Sequence, residues 1–196
     1  MRFGRKSHRL WGFDYTQSGA YFITLCVQHH ECLFGEIHDG EVRLNGFGKI
    51  VRECWNDLPN HYPMVELGSF VVMPNHVHAI VILWNNREKP EPPIAVNSVS
   101  GIELSNVGAG LKPAPTFVPS MKPFKRHGLS EIVRALKTFS ARRINILRGT
   151  LGVSVWQRDY HDRIIRRDTS MFRIQRYIAM NPSNWERDRE NRIRFD

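Results

Sequence analysis

The sequence contains few cysteines and no pattern that would pair them. The three are Cys26, Cys32 and Cys54. Their number is odd, none forms a CxxC pair and none has zinc-finger spacing with histidines, which argues against a disulfide framework and a structural zinc site. We therefore expect reduced and mostly buried thiols.

Long apolar runs are also missing. No segment approaches the roughly 20 apolar residues that a membrane-spanning helix needs, and no apolar region follows the basic residues 1–10 as in a secretory signal. The sequence therefore predicts no membrane partner and a cytoplasmic location. It also lacks a G-x-x-x-x-G-K-[ST] phosphate loop, which predicts no nucleotide cofactor.

Positive charge is abundant. The chain has 28 Lys and Arg against 19 Asp and Glu, a net charge of +9, which favours a polyanionic partner. Residues 137–195 are dense in arginine that alternates with aromatic residues. Cations follow phosphates while aromatic rings stack on unpaired bases, so this pattern is typical of single-stranded nucleic-acid binding. A solvated basic face above core aromatics is the alternative.

Hydrophobic periodicity predicts an antiparallel sheet with helices. Asp39-Gly40 between short alternating runs predicts a hairpin, because both residues tolerate positive φ. The predicted strands are Tyr21–Val27, Leu67–Met73, Val77–Leu83 and a short one at Val153–Gln157. The predicted helices are Phe47–Leu58, ended by Pro59, then Ser130–Arg148 and Met171–Met180. This order indicates an α+β sandwich with helices on one or both faces of the sheet.

Composition changes sharply after Leu83. Residues 85–127 hold seven of the eleven prolines and show no sustained apolar period. We expect a flexible insertion there. The simplest organisation is a single domain over residues 1–196, interrupted at about 85–127.

Two histidines open the predicted strand that ends at Leu83. Side chains alternate between the faces of a strand, so His76 and His78 point the same way and can share one metal ion. On the last predicted helix, Arg173, Tyr177 and Asn181 are spaced i, i+4 and i+8 and share one face. Satisfied core histidines and an amphipathic tyrosine at the edge of the core are the alternatives.

Three ordered segments resemble one known family. They are FVVMPNHVHAIVIL, VWQRDYHDRIIR and YIAMNPSNW. These runs resemble the REP-associated tyrosine transposases of bacteria, which are single-tyrosine HUH (His-hydrophobe-His) transposases. RKSHRLWGFDYTQSGAYFITLCVQ and EIVRALKTFSARRIN are similar to that family too. The resemblance covers nearly everything outside residues 85–127.

The resemblance implies a ferredoxin-like fold and a metal-dependent activity that nicks and rejoins single-stranded DNA beside hairpins. Mg²⁺ or Mn²⁺ would be held by His76, His78 and a polar residue of the tyrosine helix, where Asn181 occupies the expected place. Tyr177 matches the nucleophile, and Tyr160 is its rival. Relatives act as monomers or as homodimers. We expect these side chains to contact DNA: Lys137, Arg142, Arg143, Arg158, Arg163, Arg166 and Arg173.

Three other functions stay open on the sequence. The chain could be a hairpin-binding protein of the same fold without catalysis. A metal-dependent phosphodiesterase that uses water is a second possibility, although no carboxylate motif accompanies the histidines. A basic RNA-binding protein with structural histidines is a third, and its binding would not depend on metal.

Overall fold

A computed structural model describes residues 12–84 and 127–191. All but the last residue of the predicted insertion, 85–127, lies outside these ranges. The strands are β1 (Gly19–Cys26), β2 (Gly35–His38), β3 (Glu41–Leu44), β4 (Val65–Val72), β5 (His76–Leu83) and β6 (His161–Ile165). The helices are α1 (Gly46–Asn56), α2 (Leu58–His61), α3 (Leu129–Leu147) and α4 (Asp168–Met180), with short 3-10 helices at Gln28–His30 and Pro182–Arg187.

Four strands form an antiparallel sheet in the order β4-β5-β1-β6. With α1 between β1 and β4 and α3 between β5 and β6, the chain follows the β-α-β-β-α-β order of the ferredoxin-like fold. The predicted α+β fold class is confirmed. The β2–β3 hairpin forms a separate two-stranded sheet, and its turn residues Asp39 and Gly40 have φ of 52° and 76°, as the Asp-Gly pair predicted.

The two faces of the main sheet are covered by different helices. On one face, Val77, Ala79 and Val81 of β5 pack into the large core with α1 and α3. On the other face, Ile80 packs with Ile174 and Ile178 of α4. Since strand residues alternate between faces, His76 and His78 lie on the α4 face, with Ile80. This face carries the candidate site.

Two predicted elements differ from the structure. Val153–Gln157 forms only an isolated bridge from Trp156 to Val27, and the sixth strand is β6 instead. β6 is an edge strand with exposed polar residues at alternate positions, so it lacks an apolar run. The first helix ends at Asn56, and Pro59 lies in the first turn of α2, where the missing N–H of proline is tolerated.

None of the helices within residues 12–84 and 127–191 has the length and apolar character that crossing a membrane would require.

Candidate metal and nucleophile site

His76 and His78 are adjacent on the buried strand β5, and their side chains converge. Their Nε2 atoms are 3.1 Å apart, and the residues are 0% and 3% exposed. Across the sheet, Thr24 of β1 is in register with His78, and its hydroxyl lies 2.9 Å from His78 Nδ1. The central position of β5 between two paired strands fixes both rings.

Asn75 sets the protonation of His76. The Asn75 amide nitrogen donates to the carbonyl oxygens of His30, at 3.2 Å, and Glu190, at 2.7 Å. Its Oδ1 therefore faces His76 Nδ1, 2.8 Å away, and can only accept a hydrogen bond. Neutral His76 then carries its proton on Nδ1 and directs the lone pair of Nε2 towards His78.

The electrostatics of this pair favour a metal ion between the rings. Burial, reinforced by the neighbouring imidazoles, lowers the pKa of His76 and of His78 to about 3. Both rings are therefore neutral at physiological pH, which is the form that binds metals. When the Thr24 hydroxyl accepts from His78 Nδ1, two Nε2 lone pairs face each other and a cation relieves their repulsion.

Helix α4 brings Tyr177 to the histidines. Its hydroxyl lies 3.1 Å from His78 Nε2, and its ring contacts Phe22 edge-on. Ile174 and Ile178 lie on the neighbouring stripe of α4 and pack against the sheet, so Tyr177 projects from the border of the buried face and is 46% exposed. Desolvation raises the pKa of Tyr177 to about 12; the Asp188 carboxylate adds to this rise, and the Asn181 amide opposes it.

The segment after α4 supplies a carboxylate that sequence reasoning missed. Asp188 follows the 3-10 helix Pro182–Arg187, and it can offer a carboxylate oxygen within 4.8 Å of a ring nitrogen of each histidine. Among the described residues, this is one of two groups with such metal-ligating geometry. The acidic residues in WERDRE were the only sequence signal, and nothing in their spacing links them to a strand about a hundred residues earlier.

Asn181, the predicted third ligand, lies beside this carboxylate. It is 2% exposed and its Nδ2 donates to Asp188 Oδ2 at 2.8 Å. Within the described part of the chain its Oδ1 is buried and accepts no hydrogen bond. Such an orphaned oxygen is costly unless a group beyond the described residues binds it, and a cation beside Asp188 would be such a group.

The spacing of the donors also fits a small divalent ion. Neighbouring ligands of an octahedral ion with bonds of about 2.1 Å lie about 3.0 Å apart, and the two Nε2 atoms are 3.1 Å apart. With a nearby carboxylate, this donor set is suited to a divalent metal.

The predicted DNA-contacting residues fall into two regions. Arg163 on β6 is in register with Phe22, so it faces the same side as His78, and Arg173 lies on α4 one turn before Tyr177. Lys137, Arg142 and Arg143 belong to α3, which covers the opposite face of the sheet. The exposed Arg158 and Arg166 flank β6.

Two cations on α3 already have intramolecular partners. Lys137 Nζ donates to the carbonyl oxygens of Gln157, Arg158 and Asp159 at 2.9, 3.2 and 3.0 Å, and burial lowers its pKa to about 8. Arg143 forms an ion pair with Glu53 of α1. A phosphate contact by either side chain would have to displace these partners.

Tyr160, the rival nucleophile, lies in a different place. Its ring sits 5.5 Å from Lys137 Nζ, beside a cleft of about 480 Å³ that is also lined by Arg134, Trp156 and Arg158. Tyr160 packs against the large core, on the face of the sheet opposite to α4. The structure thus brings Tyr177, and not Tyr160, to the histidine pair.

Comparison with known proteins places the chain in a family. No family model matches the sequence. The chain is 34% identical over 188 residues to an uncharacterized protein of Haemophilus influenzae, and the match covers 94% of this chain and 91% of that protein. The chain belongs to the family of this Haemophilus protein.

The fold is also found in a solved structure. That structure is a REP-associated tyrosine transposase bound to a REP hairpin, with a TM-score of 0.53 and 15% sequence identity over 90% of this chain and 74% of that one. At this identity the likeness concerns the fold, a four-stranded antiparallel sheet with helices packed on it.

Proposed function

We propose that this protein is a tyrosine transposase or endonuclease that nicks and rejoins single-stranded DNA through a 5′-phosphotyrosine. The observation that carries the proposal is the position of the Tyr177 hydroxyl, 3.1 Å from Nε2 of a buried histidine pair. A nucleophile and a metal-binding pair at this distance can act on the same phosphate group. The fold shared with a REP-associated tyrosine transposase supports the same activity.

His76, His78 and Asp188 would hold a divalent ion, Mg²⁺ or Mn²⁺, and Asn181 offers a further oxygen through Oδ1. Bound there, the ion would act as a Lewis acid on the scissile phosphate. Asn75 and Thr24 hold the rings through their Nδ1 atoms, so that both Nε2 atoms face the ion.

The chain's own contribution to the reaction is a positioned nucleophile. With its pKa raised to about 12, Tyr177 is neutral near pH 7 and must lose its proton as it reacts. Its Oη forms a bond to phosphorus while the bond from phosphorus to the 3′ oxygen breaks, and the 3′ oxygen takes up a proton. The products are a 5′-phosphotyrosine and a free 3′-hydroxyl, and attack by a 3′-hydroxyl reverses the step without ATP.

DNA with a hairpin next to a single strand is the proposed substrate. The REP-associated tyrosine transposase that shares this fold was solved bound to a REP hairpin. Positive charge on the face that carries the site comes from Arg163 on β6 and Arg173 on α4, which are exposed and can contact phosphates. The exposed Arg166 follows the end of β6 that lies away from His78 and would contact a phosphate further along the strand. Lys137, Arg142, Arg143 and Arg158 would contact more distant phosphates, in a monomer or a homodimer.

A covalent-adduct experiment tests the proposal. Full-length protein is mixed with a labelled single-stranded oligonucleotide that carries a hairpin from its own genome, with Mn²⁺, and run on a denaturing gel. We expect a slowly migrating protein–DNA species that disappears with chelator and in Tyr177→Phe but persists in the matched variant Tyr160→Phe.

The opposite outcomes are informative. An adduct that persists in Tyr177→Phe contradicts the assignment of the nucleophile. Cleavage without an adduct would show that water is the nucleophile. If wild-type protein binds the hairpin but produces neither cleavage nor an adduct, the protein is a hairpin-binding protein of this fold without catalysis.

A further inference from the structure

A second group of metal-ligating side chains lies beside the candidate site. Cys26 ends β1, His30 follows it in the 3-10 helix Gln28–His30, and Glu190 comes from the segment after α4. Their ligand atoms lie within 4.8 Å of one another. Cys26 is 5% exposed, and the side chain of His30 is 8% exposed.

The donor spacing matches a tetrahedral zinc ion. With Zn–S bonds of about 2.3 Å and Zn–N and Zn–O bonds of about 2.1 Å, sulfur and oxygen lie about 3.6 Å apart, and nitrogen and oxygen about 3.4 Å apart. Cys26 Sγ is 3.4 Å from Glu190 Oε2, and His30 Nδ1 is 3.6 Å from the same oxygen. Both separations agree with these values to about 0.2 Å.

The backbone and a buried amide hold two of the three ligand-bearing segments in place. His29 and His30 both have positive φ, 59° and 58°, which is uncommon for consecutive residues other than glycine and costs free energy. Asn75 Nδ2 donates to the carbonyl oxygens of both His30 and Glu190, so one buried side chain ties the two ligand-bearing segments together.

We propose that Cys26, His30 and Glu190 form a second metal site, which binds Zn²⁺ through a thiolate, an imidazole and a carboxylate, with water as a fourth ligand. A soft thiolate selects zinc over Mg²⁺. The sequence pattern argued against a structural zinc site because its cysteines and histidines lack zinc-finger spacing. The third ligand comes from a distant segment instead, since folding brings Glu190 to the Cys-x3-His segment at the end of β1.

Gln157 is the neighbour that supports His30 from outside the site. Its amide nitrogen lies 2.8 Å from His30 Nε2 and 3.2 Å from the carbonyl oxygen of Val27. With zinc on Nδ1, the His30 proton would lie on Nε2, and the Gln157 amide would turn its oxygen towards that proton in exchange for its bond to the Val27 carbonyl oxygen.

The site has a structural consequence for the segment after α4. Asp188 lies two residues before Glu190, and the Glu190 backbone N–H donates to Asp188 Oδ1 at 2.6 Å. Zinc on Glu190 would therefore fix the segment that presents Asp188 to His76 and His78.

Cobalt substitution tests the proposal without any activity assay. Tag-free, full-length protein is stripped of metal and titrated with Co²⁺. We expect the near-ultraviolet absorption of a thiolate–cobalt bond at one equivalent, and its loss when Zn²⁺ is added. The band should persist in Cys32→Ser, the matched control at an exposed cysteine, and in His76→Ala/His78→Ala. It should vanish in Cys26→Ser, and Glu190→Gln should weaken Co²⁺ binding about tenfold or more.

Three results would overturn the proposal: no thiolate band in wild-type protein, a band that survives Cys26→Ser, or a band lost in Cys32→Ser. Circular dichroism checks the fold of each variant, and Glu190→Gln tests the site if Cys26→Ser does not fold. The His76→Ala/His78→Ala variant lacks the proposed nicking site but keeps Cys26, His30 and Glu190. Its thiolate–cobalt band therefore reports on the zinc site whether or not the protein nicks DNA.

Trypsin cleavage tests the structural consequence. Arg187 and Arg189 are exposed and flank Asp188. Zn²⁺ should slow cleavage after both arginines in wild-type protein and have no effect in Cys26→Ser, as followed by mass spectrometry of the fragments. Equal rates with and without Zn²⁺ would show that the ion does not fix the segment.

Discussion

The hydroxyl of Tyr177 lies 3.1 Å from Nε2 of His78, although 99 positions separate the two residues in the chain. The ring of Phe22 contacts both: its centroid is 6.0 Å from that of Tyr177 and 5.4 Å from that of His78. A helix that packs on a sheet through Ile174 and Ile178 thus presents a phenol to a buried imidazole pair.

The first prediction concerns the third metal ligand. Asp188→Ala should weaken Mn²⁺ binding by more than roughly tenfold relative to wild-type protein. Asn181→Ala should weaken it less, because a carboxylate is a stronger ligand than an amide. Isothermal titration with Mn²⁺ measures both. Glu186→Ala, which removes an exposed carboxylate of the same segment, should leave the affinity unchanged. The reverse order of the two variants would assign the third position to Asn181.

A second prediction tests how Asn75 supports His76. Asn75→Ala removes the acceptor of His76 Nδ1 and the donor to two carbonyl oxygens in a fully buried place. Leaving such groups unsatisfied costs about 1–3 kcal/mol each. We expect a lower free energy of unfolding in urea and Mn²⁺ affinity reduced by about 10–100-fold. Asn184→Ala, which loses an exposed amide bonded to the Met180 carbonyl, is the control. Unchanged Mn²⁺ affinity in Asn75→Ala would show that Asn75 does not orient His76 for metal binding.

The third prediction is a pH dependence of stability in the metal-free protein. The pKa of His76 and of His78 is lowered from 6.5 to about 3 in the folded state. Between these values the unfolded chain binds more protons than the folded one, so the free energy of unfolding should fall as the pH drops from 6.5 towards 3. Each histidine contributes at most about 1.4 kcal/mol per pH unit.

Urea unfolding at several pH values measures this slope. The double variant His76→Gln/His78→Gln should have a shallower slope, whereas His38→Gln, on the exposed hairpin, should keep it. An identical slope in the double variant and the wild type would contradict the buried, neutral state of the pair.

The fourth prediction separates the two basic regions. Arg163→Ala, on the face of the sheet that carries His78, should weaken hairpin-DNA binding and lower the slope of log affinity against log salt by about 1. Arg143→Ala, on the opposite side and paired with Glu53, should change this slope less. Fluorescence anisotropy over a range of salt concentrations measures both. If Arg143→Ala lowers the salt slope as much as Arg163→Ala does, the DNA interface includes α3.

Much of the site could be predicted from local rules. The alternation of side chains on a strand predicted that His76 and His78 face the same way, and the helical repeat predicted that Tyr177 and Asn181 share one face. Asp39-Gly40 predicted its hairpin for a similar reason, because the backbone angles of a tight turn depend on the residues in it. β6 escaped prediction because an edge strand with exposed polar residues shows no apolar run.

Only the tertiary structure decided which groups meet. Asp188, Glu190 and Asn75 come together because the chain turns back after α4 and passes the ends of β1 and β5. The division of the basic residues between two faces also depends on which side of the sheet each helix covers. Charge and periodicity along the sequence thus determined the local elements and the prediction of a polyanionic partner. The ligand sets depended on packing and long-range hydrogen bonds, because these join residues whose separation in the chain carries no periodic signal.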